Sequence, residues 1–271
     1  MTMARSIVVV PTYNEVDNLP LLVERIFAAG EYDVLVVDDA SPDGTGELAE
    51  RLAKASDGRL SVLHRPGKQG LGRAYVDGFK QALAGPYDYV FQMDADFSHD
   101  PAALNDLRAA LDSADVAIGS RYVAGGDTPG LPRHRLLLSS WGSLYSRLVL
   151  GMPVRDLTGG FKGFRRQALE ALNLDQIGAR GFGFQIEVNH QLHRAGFRLV
   201  EVPIIFRERR AGASKMSWFI VAEALLLPLR LRFAGQQRRV EHGDWQESWL
   251  VRSVLYPLRL LMGRGLKNPS A

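Results

Sequence analysis

Asp94-Ala95-Asp96 follows directly on the apolar run Tyr89-Val90-Phe91-Gln92-Met93, so two carboxylates stand at the carboxyl end of a predicted buried strand. On extended backbone, residues two apart project to the same side. Asp94 and Asp96 can therefore converge on one small divalent cation. Such a cation completes its shell with water and substrate phosphates rather than with more protein ligands, which makes the pair the floor of a nucleotide-diphosphate site. By itself an Asp pair after a strand is more often a capped turn. The assignment depends on what else the chain brings to the same place.

The first 125 residues alternate strand-like and helix-like segments. Strands are predicted at 7–10, 34–37, 60–64, before Asp94, and at 116–119. Helices are predicted at 18–29, 45–54, 71–83 and 101–111, the last with proline near its start, where proline is tolerated. The first helix shows its period in Leu19, Leu22, Val23 and Ile26. Repeated strand–helix alternation with apolar strands predicts an α/β fold, a mainly parallel sheet with helices on both faces. Ligands of such sheets bind beyond the carboxyl ends of the strands. The loops at those ends are 11–15, 38–44 and 94–98.

From Leu131 the pattern changes. Arg133-His134-Arg135 precedes an apolar, small-residue segment, 136–151. A Gly-rich loop is expected at 158–163, an aromatic loop at 181–184, and a strand at 200–206 leading into the charged, Gly-containing stretch 207–215. The chain of 271 residues, 46% hydrophobic and 23% charged, can bury one full α/β core. It has no cysteine, which excludes disulfides and thiolate metal sites and fits a reducing compartment. The apolar stretch after Met1 is too short for a secretory signal, so a cytosolic start is expected.

The net charge of +3 is uneven: residues 1–215 carry 25 Lys and Arg against 26 Asp and Glu, and residues 216–271 carry 8 against 4. The chain is thus expected to divide into a catalytic domain, 1–215, and a basic amphipathic tail, 216–271. Trp218–Phe233 and Trp249–Met262 mix Trp and Leu with Arg, and their uncharged runs are far shorter than a bilayer crossing needs. Such segments are expected to lie on a membrane surface rather than cross it. Pro228 and Pro257 are expected to kink or end a helix there.

Pro11-Thr12-Tyr13-Asn14-Glu15, Val37-Asp38-Asp39-Ala40-Ser41-Pro42-Asp43-Gly44 and Asp94-Ala95-Asp96 occur in this order and spacing. Together they resemble the family 2 glycosyltransferases, inverting enzymes of the A-type nucleotide-sugar fold. The match narrows with Gly119-Ser120-Arg121-Tyr122, Asp156-Leu157-Thr158-Gly159-Gly160-Phe161 and Phe184-Gln185-Ile186-Glu187. It closes with Pro203-Ile204-Ile205-Phe206, Arg209, Gly212, Ser214 and Lys215. The full set, covering roughly 5–216, is similar to the polyprenol-phosphate mannose synthases.

The resemblance implies roles. Pro11, Tyr13, Glu15, Val37 and Asp39 would line the nucleoside pocket; an aromatic can stack on a base, although Asp38-Asp39 alone reads equally as a solvated turn. Asp94, Asp96 and Ser98 would hold Mg2+ or Mn2+, with the Ala95 backbone nearby. Relatives often carry Gln at the third position, and a hydroxyl is a weaker ligand. Arg121, Arg209 and Lys215 would meet the phosphates of the donor. Arg135 and Ser139, four apart and so on one face of a helix, would hold the acceptor phosphate with Arg121. An Arg-rich first helical turn opposes the macrodipole unless an anion is present.

The implied reaction is metal-dependent, inverting transfer of mannose from GDP-mannose to a polyprenyl phosphate. A phosphate monoester is already largely ionised at neutral pH, so no general base is required; Glu187, the nearest acidic candidate, is expected to be structural. The competing expectations are glucosyl transfer from UDP-glucose to the same lipid class, polysaccharide-chain transfer, and a non-catalytic nucleotide-sugar-binding scaffold. The expected partners are the donor, the lipid phosphate and the membrane surface on its cytoplasmic side. A separate membrane-anchoring protein stays an open partner, and no nucleic acid is expected.

Overall fold

The computed structural model describes residues 4–131, 133–178, 181–207 and 226–233. Five strands come first: β1 (Ser6–Thr12), β2 (Tyr32–Asp38), β3 (Leu60–His64), β4 (Tyr89–Gln92) and β5 (Val116–Ser120). Between them run α1 (Leu19–Ala29), α2 (Thr45–Lys54), α3 (Leu71–Ala84) and α4 (Leu104–Ala110), the last entered through a 3-10 turn at Pro101–Ala103. The second half supplies α5 (Arg133–Leu150), β6 (Lys162–Arg165), α6 (Arg166–Glu170), α7 (Phe182–Arg194) and β7 (Leu199–Pro203).

The seven strands form one sheet in the order β3-β2-β1-β4-β6-β5-β7. Its pairs are parallel except for β6, which runs antiparallel to both β4 and β5. Lys162 and Gly163, expected at the end of a Gly-rich loop, therefore open a strand instead. Phe182 and Phe184 likewise belong to α7 rather than to an aromatic loop. The mainly parallel sheet with helices on both faces is as the sequence predicts.

Alternation along the strands sorts side chains between two cores. Ile7, Val9, Leu35 and Val37 face one layer, with Tyr75, Val76 and Phe79 of α3 and Phe184, Val188 and Leu192 of α7. Val8, Val10, Val34 and Val36 face the other, with α1 and α4. The chain leaves β1 toward β2 and β3 and returns on its other side as β4. Such a reversal opens a crevice at the carboxyl ends of the two strands, the usual ligand position in open α/β sheets. The ends in question are Thr12 and Gln92.

All described elements through Leu231 belong to one compact unit, Met1–Leu231. Residues 226–233 are helical, and Leu227 and Leu231, one turn apart, pack on the α3–α7 core. Pro228 is buried within this segment, which continues to Phe233. The rest of the expected tail, including Trp218, Trp249 and Pro257, lies outside the described residues. Among the described residues no helix is long and apolar enough to cross a membrane.

Candidate active site

The loops after β1 and β2 are tied together before any ligand arrives. Thr12 donates its hydroxyl to Asp38 Oδ1 at 3.0 Å, and the backbone N–H of Asn14 reaches Ser41 Oγ at 3.1 Å. The Glu15 N–H donates to Thr45 Oγ1 at 2.9 Å, and that hydroxyl in turn donates to Asp43 Oδ1. Among the described non-glycine residues with positive φ are Asn14 (61°), Ala40 (54°) and Phe97 (59°), one in each of the loops after β1, β2 and β4. Left-handed backbone at a residue with a Cβ persists only where the surroundings hold it. These loops are rigidly shaped.

On the β2–β3 side, the Tyr13 ring carries Lys68 Nζ over its face at 3.7 Å from the centroid. Asp39, almost fully buried, is ion-paired to the equally buried Arg65, whose Nε also reaches Asp77 at 2.8 Å. Burial raises the Asp39 carboxyl above its ordinary range, against the pull of Arg65. Pro11 and Val37 sit side by side in the β1–β2 register, and the Val37 side chain is wholly inside the core. What Val37 brings to the crevice is backbone. Glu15 accepts from Asn18 Nδ2 at 2.8 Å. Arg65 and Lys68 were not singled out in the sequence, although Arg65-Pro66-Gly67-Lys68 follows β3 at the same end of the sheet.

Beyond β4 the two carboxylates are held separately. Asp94 Oδ1 accepts the Tyr75 hydroxyl at 2.8 Å. Asp96, buried, accepts the Ser98 N–H on Oδ1 at 3.0 Å. The Ser98 carbonyl in turn accepts from Arg207 N at 3.1 Å. That last bond sets the start of the 207–215 stretch against the Asp94–Ser98 loop; Arg209 and Lys215 themselves lie outside the described residues. The antiparallel register Gln92↔Lys162 puts the Gly159-Gly160 turn across from Asp94. A Cβ on Gly160 would lie 3.3 Å from Asp94 Oδ2.

Arg121, at the end of β5, is anchored in a fork. Its Nε and Nη2 donate to the two oxygens of fully buried Asp156 at 2.7 Å each, and Nη2 also reaches Thr158 Oγ1 at 2.8 Å. Burial works against the guanidinium charge, and the Asp156 contacts outweigh it, so Arg121 stays protonated. Next to it, Tyr122 donates its hydroxyl to Ser139 Oγ of α5 at 2.8 Å. The structure therefore brings Arg121 and Ser139 into one patch. Arg135 lies on the same helix, one turn earlier. Glu187 is buried in α7 and accepts from Gln191 at 3.2 Å.

A polar network lies beneath Gly160. Lys162 is fully buried and donates to Gln185 Oε1 at 2.7 Å, and Gln92 Nε2 donates to the same oxygen at 2.9 Å and to Gly160 O at 2.8 Å. Burial pulls the Lys162 amine down to about 7, with Asp156 opposing. Among the described residues no three His, Asp or Glu side chains are grouped as a metal cage. Two hard carboxylates at a strand end, with space kept by a glycine, fit a divalent cation that takes its other ligands from water and a diphosphate.

The model of glycosyl transferase family 2 matches residues 7–172. The chain belongs to glycosyltransferase family 2. Within the family it is 47% identical over 223 residues to the polyprenol monophosphomannose synthase of Mycolicibacterium smegmatis, covering 82% of this chain and 84% of that one. To the undecaprenyl-phosphate mannosyltransferase of Micrococcus luteus it is 48% identical over 233 residues, 86% and 96% of the two chains. Among solved structures, the glucosyl-3-phosphoglycerate synthase of Mycobacterium tuberculosis, in complex with Mn2+, UDP and glucosyl-3-phosphoglycerate, shares the fold with a TM-score of 0.62 at 21% identity over 85% of this chain and 80% of that one. A mannosyltransferase of Pyrobaculum calidifontis in complex with GDP-Man and Mn2+ gives 0.55 at 20% identity, over 96% and 70%.

Proposed function

We propose that this family 2 enzyme transfers mannose from GDP-mannose to a polyprenyl phosphate, with inversion, giving β-linked polyprenyl phosphomannose and GDP. The observation that carries the reading is the near-half identity, over most of both chains, to relatives named for this lipid-phosphate mannosylation. The site geometry is compatible at each step. Tyr13 with Lys68, and Asp39 with Arg65, flank the nucleoside side of the crevice. Asp94 and Asp96 would hold Mg2+ or Mn2+, which when bound supplies positive charge to the departing diphosphate. Ser98, the weakest of the three ligands, would join them, and its N–H already braces Asp96 Oδ1.

Arg121 has Nε and Nη2 committed to Asp156 and Thr158, which leaves Nη1 for a substrate oxygen. With Arg135 and Ser139 on the facing helix it would orient the acceptor phosphate. A phosphate oxygen, already ionised with a second pKa near ~6, forms the new bond to the anomeric carbon. The bond from that carbon to the diphosphate breaks, and both electrons leave with GDP. No proton has to move, so alignment and charge stabilisation are the whole of the protein's task. Arg209 and Lys215 would add cations from the stretch that begins at Arg207.

The acceptor's chain stays in a bilayer, and α5 is built to meet one. Its Ser143, Ser146 and Leu150 face the protein, while Leu137, Trp141, Leu144 and Leu148 point out, 42–71% exposed. This is an amphipathic helix with its apolar side outward, the reverse of a helix on a water-facing protein. We therefore read the enzyme as a peripheral protein of the cytoplasmic membrane surface, docking through α5. The basic tail, 216–271, would add electrostatic attraction to anionic lipid. Vesicle flotation of the purified chain tests the docking, and transfer of labelled mannose into an organic-extractable lipid tests the reaction.

A further inference from the structure

Tyr75 is a polar residue in an apolar place. It lies on α3, fully buried, its ring packed against both Phe79 at 5.8 Å and Phe184 at 5.9 Å, which lie 6.5 Å from each other. The helix is pressed close to the sheet because Gly78 lets its backbone approach Val9; any Cβ there would collide with that side chain. For packing alone, phenylalanine would serve this position better, since a buried hydroxyl must be stripped of water and given a partner. The partner here is Asp94 Oδ1, at 2.8 Å.

We propose that Tyr75 is a positioning residue for the metal site, fixing the rotamer of Asp94 through this one hydrogen bond. The inference rests on the reading of Asp94 as a metal-holding carboxylate. β4 delivers Asp94 to the crevice, and the Tyr75 hydroxyl meets its side chain there. The aromatic stack immobilises the phenol ring, so its hydroxyl is a fixed point, and Oδ1 is held to it. On the other side of the carboxylate, Oδ2 faces Gly160, where a Cβ would come within 3.3 Å. One oxygen is thus held by Tyr75, and the glycine keeps a side chain at position 160 away from the other. A carboxylate oriented in this way meets a cation without first losing side-chain freedom, and such supporting partners commonly control metal affinity by about 10–100-fold.

The test is Tyr75→Phe, which removes one oxygen and keeps the stack. Mn2+ binding is measured from the EPR signal of free Mn2+ as it is titrated into protein saturated with GDP. GDP binding without metal and the thermal midpoint are measured in parallel. The expected result is Mn2+ affinity at least about tenfold weaker, with metal-free GDP affinity unchanged. Unchanged Mn2+ affinity, whatever happens to the thermal midpoint, would reduce Tyr75 to a core residue and overturn the proposal. If the unsubstituted protein with GDP takes up no Mn2+, the metal reading itself falls, and the proposal with it.

Discussion

The Tyr122 hydroxyl donates to Ser139 Oγ at 2.8 Å, joining the end of β5 to the middle of α5. The same tyrosine ring lies 5.0 Å from the guanidinium carbon of Arg121. One hydrogen bond therefore holds the helix proposed to carry the acceptor against the arginine proposed to meet its phosphate. Arg135→Ala and Ser139→Ala should each raise the KM for lipid phosphate, and Tyr122→Phe should do so more weakly. A lost charge-assisted hydrogen bond costs about 1.5–3 kcal/mol, roughly a tenfold to hundredfold fall in kcat/KM for the acceptor. Donor affinity, followed by GDP-mannose titration, should stay the same. An equal loss in donor affinity with no change in acceptor KM would move the acceptor site elsewhere.

The outward face of α5 predicts a separable phenotype. Leu137→Gln, Trp141→Gln and Leu148→Gln together should abolish flotation with vesicles containing anionic lipid. Because these side chains are exposed, the thermal midpoint should hold or rise. Flotation of the unsubstituted chain should weaken as salt rises, from screening of the basic residues. A triple variant that floats as well as its parent would show that another surface does the docking.

Lys162 predicts a pH dependence of stability. Burial pulls its amine from the ordinary 10.5 down to about 7 in the folded chain. Above that value the unfolded chain binds the proton and the folded chain does not, so stability gained through this group rises with pH until the unfolded lysine also titrates. Each pH unit in that window is worth up to about 1.4 kcal/mol. Comparing urea unfolding of the parent with Lys162→Met cancels other titrating groups. The difference should shift in favour of the parent by roughly 2 kcal/mol between pH 6.5 and pH 9. A difference flat across that range would mean that the buried amine keeps its charge.

The first half of the fold is readable because each layer faces one core. α2 and β3 occupy the predicted residues, and β1 and β2 extend one or two residues past their apolar runs. The second half hides its periods. Phe184, Ile186 and Val188 are buried at a spacing of two, as in a strand, yet they belong to α7. Gln185, Glu187, Asn189 and His190 are buried as well, so this helix has no polar face to reveal its turn. β6 is short, carries Gly163, and buries a lysine, none of which marks a strand. Asp94 and Asp96 stand out in the sequence because they follow an apolar strand two residues apart, and the resemblance to a family supplies their role. Tyr75 and Arg65 do not, since their contacts come from packing between distant segments.

The central claim is that Asp96 and its partner carboxylate serve mannosyl transfer to a lipid phosphate. The most direct measurement incubates the protein with undecaprenyl phosphate, Mn2+ and radiolabelled GDP-mannose, and counts the organic phase. The account predicts label in the lipid, none with excess EDTA, and none with Asp96→Ala at an unchanged thermal midpoint. Undiminished transfer in EDTA would contradict the metal assignment; label entering the lipid from UDP-glucose and not from GDP-mannose would contradict the substrate.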